Sequence, residues 1–226
     1  MKTIGKMLVG AMIGFFATYT LLASDFEKTM ESIGLEMTVV LGGVSFFLGL
    51  LCIMNIWQIK KKATASLTGE EEDLRDEWQY KKYSDATLAG NSSLIFAIST
   101  LGIALVTKQS LALIIGALLL VITTLICNTA GLSVIKFVYP DRNLPEASDK
   151  NYAKKLLAAT DEGERHVMLE GLYSAYNSTN ILLIGAMGLF IIYSVGSGNS
   201  QLFAILVIAI VLVTVNTQYM FKVRSK

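Results

Sequence analysis

Charge is what this chain of 226 residues has least of: Asp, Glu, Lys and Arg make up 16% of it, where a soluble domain carries about a quarter. With a mean hydropathy of +0.55, too little polar surface remains to clothe a water-soluble core, and the bilayer is the solvent that fits. The net charge of +1 excludes the basic field that nucleic-acid binding requires. A single histidine, His166, and two cysteines, Cys52 and Cys127, leave no His/Cys cluster with metal-ligand spacing and no disulfide framework. The two cysteines are read as small packing residues. Both prolines, Pro140 and Pro145, lie in one polar loop, so no apolar run is interrupted by proline.

What the chain does contain is six apolar runs, about 3–23, 34–57, 88–107, 110–135, 179–195 and 202–221. Each is near the roughly 20 residues needed to cross about 30 Å of hydrocarbon. With the N-terminus inside, only Lys28 and Lys108 of the 19 basic residues fall on the outer side. That asymmetry predicts a multi-pass protein of the cell membrane with both termini cytoplasmic. Lys2, Lys6 and the run ending Leu22-Ala23-Ser24 have the outline of a secretory signal, but the run is longer than a usual signal core and reads as a retained first helix.

The outer connections are short, and the two inner loops are not. Residues 59–85 carry six basic and seven acidic residues, and residues 136–170 carry six and seven again. This match reads as a degenerate internal repeat of helix, charged loop and helix. Pro140 and Pro145 disfavour helix at Tyr139 and Leu144 and so end the fourth span. Each loop then turns helical, lying along the inner surface or continuing into the next span. Thr68-Gly69-Glu70-Glu71 has the form of a capping box, and Thr160-Asp161-Glu162 offers a second cap with an acidic first turn. Leu169, Leu172, Tyr173 and Tyr176 then share one helix face.

Three segments, Lys6-Met7-Leu8-Val9-Gly10-Ala11-Met12-Ile13-Gly14-Phe15-Phe16, Thr160-Asp161-Glu162-Gly163-Glu164-Arg165 and Tyr176-Asn177-Ser178-Thr179-Asn180, resemble domain-of-unknown-function family 3169. The resemblance covers nearly the whole chain. It implies a multi-pass membrane protein of Gram-positive bacteria and supplies no catalytic residues to transfer.

Several motifs have both a chemical and a plain reading. Glu70-Glu71-Glu72-Asp73-Leu74-Arg75 includes the Glu-Glu-x-x-x-Arg spacing of intramembrane metal-dependent proteases. That chemistry needs histidines on other helices, and His166 stands alone in a charged loop, so a solvated helix start is the better reading. Histidine is the residue type used to sense pH or bind a metal, yet a lone histidine, His166, beside Glu164 and Arg165 more often does neither. Gly10-x-x-x-Gly14 is the spacing that brings membrane helices close, within the chain or in a homodimer; Gly42-Gly43, Gly185 and Gly188 carry the same meaning more weakly. Asn55, Asn91, Asn128, Asn177 and Asn216 fall near the inner ends of five spans. They read either as inter-helix glue or as a polar vestibule. Glu36, the carboxylate nearest the membrane interior, sits at the outer end of its span, which disfavours ion-coupled transport.

The expected fold is an all-α bundle of six spans with two cytoplasmic helical extensions, forming one integral membrane domain. The expected function is non-enzymatic, with no cofactor or metal. The leading reading is a regulatory, accessory or self-protection component whose partners are the bilayer and a cytoplasmic or membrane protein. Contacts are expected through Glu70, Glu71, Glu72, Asp73, Arg75 and Trp78 in the first loop and Asp161, Glu162, Glu164 and Arg165 in the second. The alternative is a transporter, or the membrane subunit of one, using the asparagine vestibule.

Overall fold

The computed structural model describes residues 32–62, 69–138 and 152–224. The first span at 3–23, Gly10, Gly14, the signal-like start, Thr68, Pro140 and Pro145 lie outside these residues. The described elements are α1 (Gly34–Lys62), α2 (Glu70–Val106), α3 (Leu111–Ser133), α4 (Ile135–Val138), α5 (Tyr152–Ala159), α6 (Glu162–Ser197) and α7 (Leu202–Arg224), with no strand among them. Five of these, α1, α2, α3, α6 and α7, are long and apolar enough to cross a membrane. The chain divides into two compact units, one within residues 30–160 and one that includes 161–226.

The second charged loop holds one short separate helix, α5, but the last helical stretch of each loop, from Glu70 and from Glu162, continues directly into the following span. At 37 residues, α2 is about 55 Å long, nearly twice the hydrocarbon thickness of about 30 Å. The 36 residues of α6 make a rod of similar length. The charged stretch of each, Glu70 to Asp85 in α2 and Glu162 to Glu170 in α6, therefore projects as an arm when the apolar part spans. No proline occurs in either helix, and no glycine occurs between Glu70 and Ala89 of α2, so no proline interrupts the hydrogen-bond ladder of either helix; in α6 the helix runs through Gly171 at the polar-to-apolar step.

The two arms start differently. At α6, Asp161 accepts from the Glu164 amide at 2.7 Å while the Glu164 carboxylate accepts from the Asp161 amide at 3.4 Å, a complete capping box. At α2, the N-cap is Gly69, at φ 68°, and no side chain caps the helix. The cap position thus falls on Gly69 and not on the expected Thr68, which lies outside the described residues, and a glycine, able to adopt positive φ, has no side chain with which to form the expected box.

In the unit of α1 to α5, α1 and α2 run antiparallel along a seam of small residues. Gly34 lies against Thr107, Gly42 against Thr100, Gly49 against Ser93, and Gly90 against Cys52. Ser45 and Ser93 lock the middle reciprocally: each hydroxyl donates to the other's backbone carbonyl, at 2.8 and 2.7 Å. Toward the lysine-rich end the seam widens into a cluster of Cys52, Ile56, Ile59, Ala86, Ala89, Val134 and Val138. Large side chains point the other way. Val39, Val40, Phe46, Phe47, Ile53 and Met54 of α1 are all exposed. This inversion suits a lipid solvent, in which apolar side chains gain nothing by leaving the tails and close backbone approach supplies the attraction.

Helix α3 joins this pair through a turn at 107–110 in which Lys108 takes φ 52°. The Gln109 amide closes onto the Ala104 carbonyl at 2.9 Å. Helix α3 ends at Ser133, with Val134 separating it from the single turn of α4; this break precedes the prolines expected to end the helix. In the other unit, α6 ends on Gly198 at φ 72° and α7 follows from Leu202. Neither helix contains a fully buried residue, so polar contacts hold much of what joins them.

Candidate functional site

The polar side chains fall into two groups, one in each unit. In the first, Asn128 of α3 donates its amide to Asn91 Oδ1 of α2 at 2.9 Å, and the Lys82 ammonium donates to Asn55 Oδ1 of α1 at 3.1 Å. Gly90 packs beside the Asn91–Asn128 pair: a Cβ there would stand 3.9 Å from both Cα and Cγ of Asn128, in ordinary contact, and a tight 3.2 Å from Cys52 Sγ. Cys52 is buried, Cys127 is half-buried, and both are free thiols.

In the second group, the Tyr176 hydroxyl of α6 donates to Asn216 Oδ1 of α7 at 2.5 Å. Asn216 in turn donates to Asn180 Oδ1 at 2.6 Å and to the Leu212 carbonyl at 2.8 Å. The rings of Tyr176 and Tyr219 stack with centroids 4.6 Å apart. Asn177 is exposed and takes no part. Tyr176 and Asn180 are one helical turn apart and share a face, from which Asn177 is rotated by about 100°. Asn180 is the residue that reading the sequence missed; its i, i+4 spacing from Tyr176 is the signal that would have found it.

On the α2 arm, Arg75 pairs with Asp76 at 3.0 Å and Lys81 with Glu77 at 2.7 Å. Leu74 and Tyr80 are exposed between these charges, and Glu71 is exposed as well. Trp78 is not an open contact: Lys62 Nζ sits 3.9 Å and Lys82 Nζ 5.9 Å from its ring centroid. It braces the end of α1 against α2 by cation–π attraction. Lys61 over Trp57 at 5.0 Å and Lys60 over Phe137 at 5.9 Å extend the same belt. Beside it, Gln79 is 2% exposed and its Nε2 has no partner among the described residues. On the α6 arm, Glu162, Arg165 and His166 are exposed, Glu164 is held in the cap, and Val167, Leu169, Leu172 and Tyr173 are exposed apolar neighbours.

Among the described residues no group of three or more His, Cys, Asp or Glu side chains could hold a metal ion. Glu36 is exposed in the first turn of α1, at the opposite end of the α1–α2 pair from Asn55. Of the small residues, Gly42 packs on Thr100 at 3.4 Å, whereas Gly43, Gly185 and Gly188 have nothing within 4 Å of a built Cβ. Gly185 and Gly188 therefore mark no helix contact among the described residues.

Among the described residues the structure is all-helical, and its five apolar rods of spanning length, with small residues on the helix seam and large ones facing outward, suit a multi-pass membrane protein. The family model for DUF3169, a protein family of unknown function, matches residues 1–223, and the chain belongs to that family. No curated protein and no solved structure matches it.

Proposed function

We propose that this chain is a non-enzymatic, six-span protein of the cell membrane with both termini in the cytoplasm. On this reading it is a regulatory, accessory or self-protection component that works through protein contacts on its two charged arms. The observation that carries the reading is the continuity of α2 and α6 from charged arm to apolar span. A protein bound to Leu74, Tyr80 or the acidic start of α2 pulls on a rod whose other half is locked to α1 by Ser45 and Ser93. The lysines at 60–62 and the bases of both arms support the cytoplasmic placement of the arms. The similar position of each arm before its span supports the degenerate repeat.

The transporter reading draws less support. Asn91 and Asn128 bond to each other, and the α1–α2 seam between Asn55 and Glu36 is filled by Ser45, Ser93, Thr38 and Thr100, all buried.

Replacing Glu70, Glu71, Glu72 and Asp73 together by alanine tests the leading reading. The variant is expected to insert and accumulate as the parent does and to lose a protein that copurifies with the parent from native membranes. Equal recovery of that protein with both forms counts against the arm as the contact surface.

A further inference from the structure

A groove of about 520 Å³ lies between α1 and α2, and its two ends differ in chemistry. One end holds Asn55, Lys82 and Asp85, and the other is walled by leucines and Phe96, with Ser92 one turn from Phe96. From Lys82 to Phe96 is 14 residues of α2, about 21 Å of helix axis. That is a headgroup plus most of one leaflet's share, about 15 Å, of the hydrocarbon. The polar end sits within the belt formed by Lys60, Lys61 and Lys62 over Phe137, Trp57 and Trp78, the residue types that mark a membrane–water boundary. Lys62 and Lys82 share the Trp78 ring, so the positive charge is held in place at the mouth of the groove. Asn55 takes one of the donors of the Lys82 ammonium, which has three in all.

We propose that this groove binds one anionic phospholipid. The phosphodiester rests on the Lys82 ammonium, and an acyl chain runs along Leu51 and Leu48, past Ser92, to Phe96. Charge complementarity selects the occupant, because Lys82, with Lys62 beside it on the Trp78 ring, outweighs the one acidic group on the groove, Asp85. A headgroup bearing hydroxyls suits Asp85, whose carboxylate accepts their hydrogen bonds; a choline headgroup offers it none. Basic pockets between spanning helices at a membrane face are general sites for such headgroups. The inference is independent of which protein the arms recruit.

The test is native mass spectrometry of the full chain in mild detergent, exchanged with equal amounts of phosphatidylglycerol and phosphatidylcholine. The wild type is expected to retain one phosphatidylglycerol in preference to phosphatidylcholine by about fivefold, the effect of roughly one lysine at a membrane surface. Lys82→Gln should abolish the preference, Lys82→Arg should keep it, and Leu51→Trp, which fills the apolar end, should reduce retention of both lipids. Lys108→Gln, at the other end of the helices, should change nothing. Equal retention of the two lipids by the wild type overturns the proposal and needs no variant to fold. Displacement of the bound lipid by soluble glycerol phosphate also overturns it, by assigning the polar end to a free phosphate.

Discussion

Gly90→Leu is expected to disrupt the α1–α2–α3 unit more than any other single change on its seam. A first added carbon already stands 3.2 Å from Cys52 Sγ and 3.9 Å from the Asn128 backbone. The three further carbons of leucine have no place to go unless α2 parts from both neighbours. Overpacking of this kind costs about 1–3 kcal/mol, occasionally more. Here parting the helices also stretches the Ser45–Ser93 pair one turn away and the Asn91–Asn128 bond next door. Thermal unfolding in detergent should show the loss directly. Gly90→Ala is the contrasting case: it moves one thiol by a few tenths of an ångström and recovers about 0.8–1 kcal/mol of helix propensity. It should unfold close to the parent, and adding Cys52→Ala should remove any residual penalty. A Gly90→Leu protein as stable as the parent would mean that the three helices are not packed through this point.

Ser84→Pro is expected to uncouple the α2 arm from its span. Ser84 is exposed and lies inside the continuous helix, so proline would meet no tertiary neighbour. It would remove one ladder hydrogen bond and set its ring against the carbonyl one turn back, at Tyr80, at a cost of about 3 kcal/mol. The apolar segment from Leu88 onward should still insert, because its hydropathy is unchanged. If partners act through a rigid arm, the Ser84→Pro protein should recover much less copurifying protein than the parent, while Ser84→Ala should match the parent. Undiminished recovery with Ser84→Pro would show that continuity of the helix is not used.

Much of this architecture was legible because membrane insertion depends on the quantity most visible in a sequence, the spacing of charge along apolar runs. The spans at 34–57, 88–107, 110–135, 179–195 and 202–221 each fall almost wholly within a described helix. What charge spacing does not encode is where a helix begins outside the membrane, so α2 starts 18 residues before Leu88, at Glu70, and α6 starts at Glu162, well before Thr179. The absence of proline between arm and span is the readable sign of that continuity. The Asp161 cap was readable because its side chain and Glu164 stand at the required spacing. The α2 cap was misplaced because a glycine cap leaves no side-chain signature.

Side-chain partnerships were less accessible. The asparagines at 55, 91, 128, 177 and 216 were grouped by depth, but a hydrogen bond depends on helix face as well. Asn91 and Asn128 share a face across the helix boundary, Asn55 meets a lysine, and Asn177 is replaced by Asn180 beside Tyr176 and Asn216. Ser45 and Ser93 carry no distinguishing pattern in sequence. Their importance comes from the close approach that Gly49 and Gly90 permit.

Each charged arm and the helix that follows it form a single rod. Pulsed electron spin resonance with labels at Glu71 and Val106, in a background with Cys52 and Cys127 replaced by alanine, measures this for α2. The 35 residues between those positions correspond to about 52 Å in one straight helix. A single narrow distance near that value is the predicted result. A shorter, broad distribution would place the arm along the membrane surface and contradict the account.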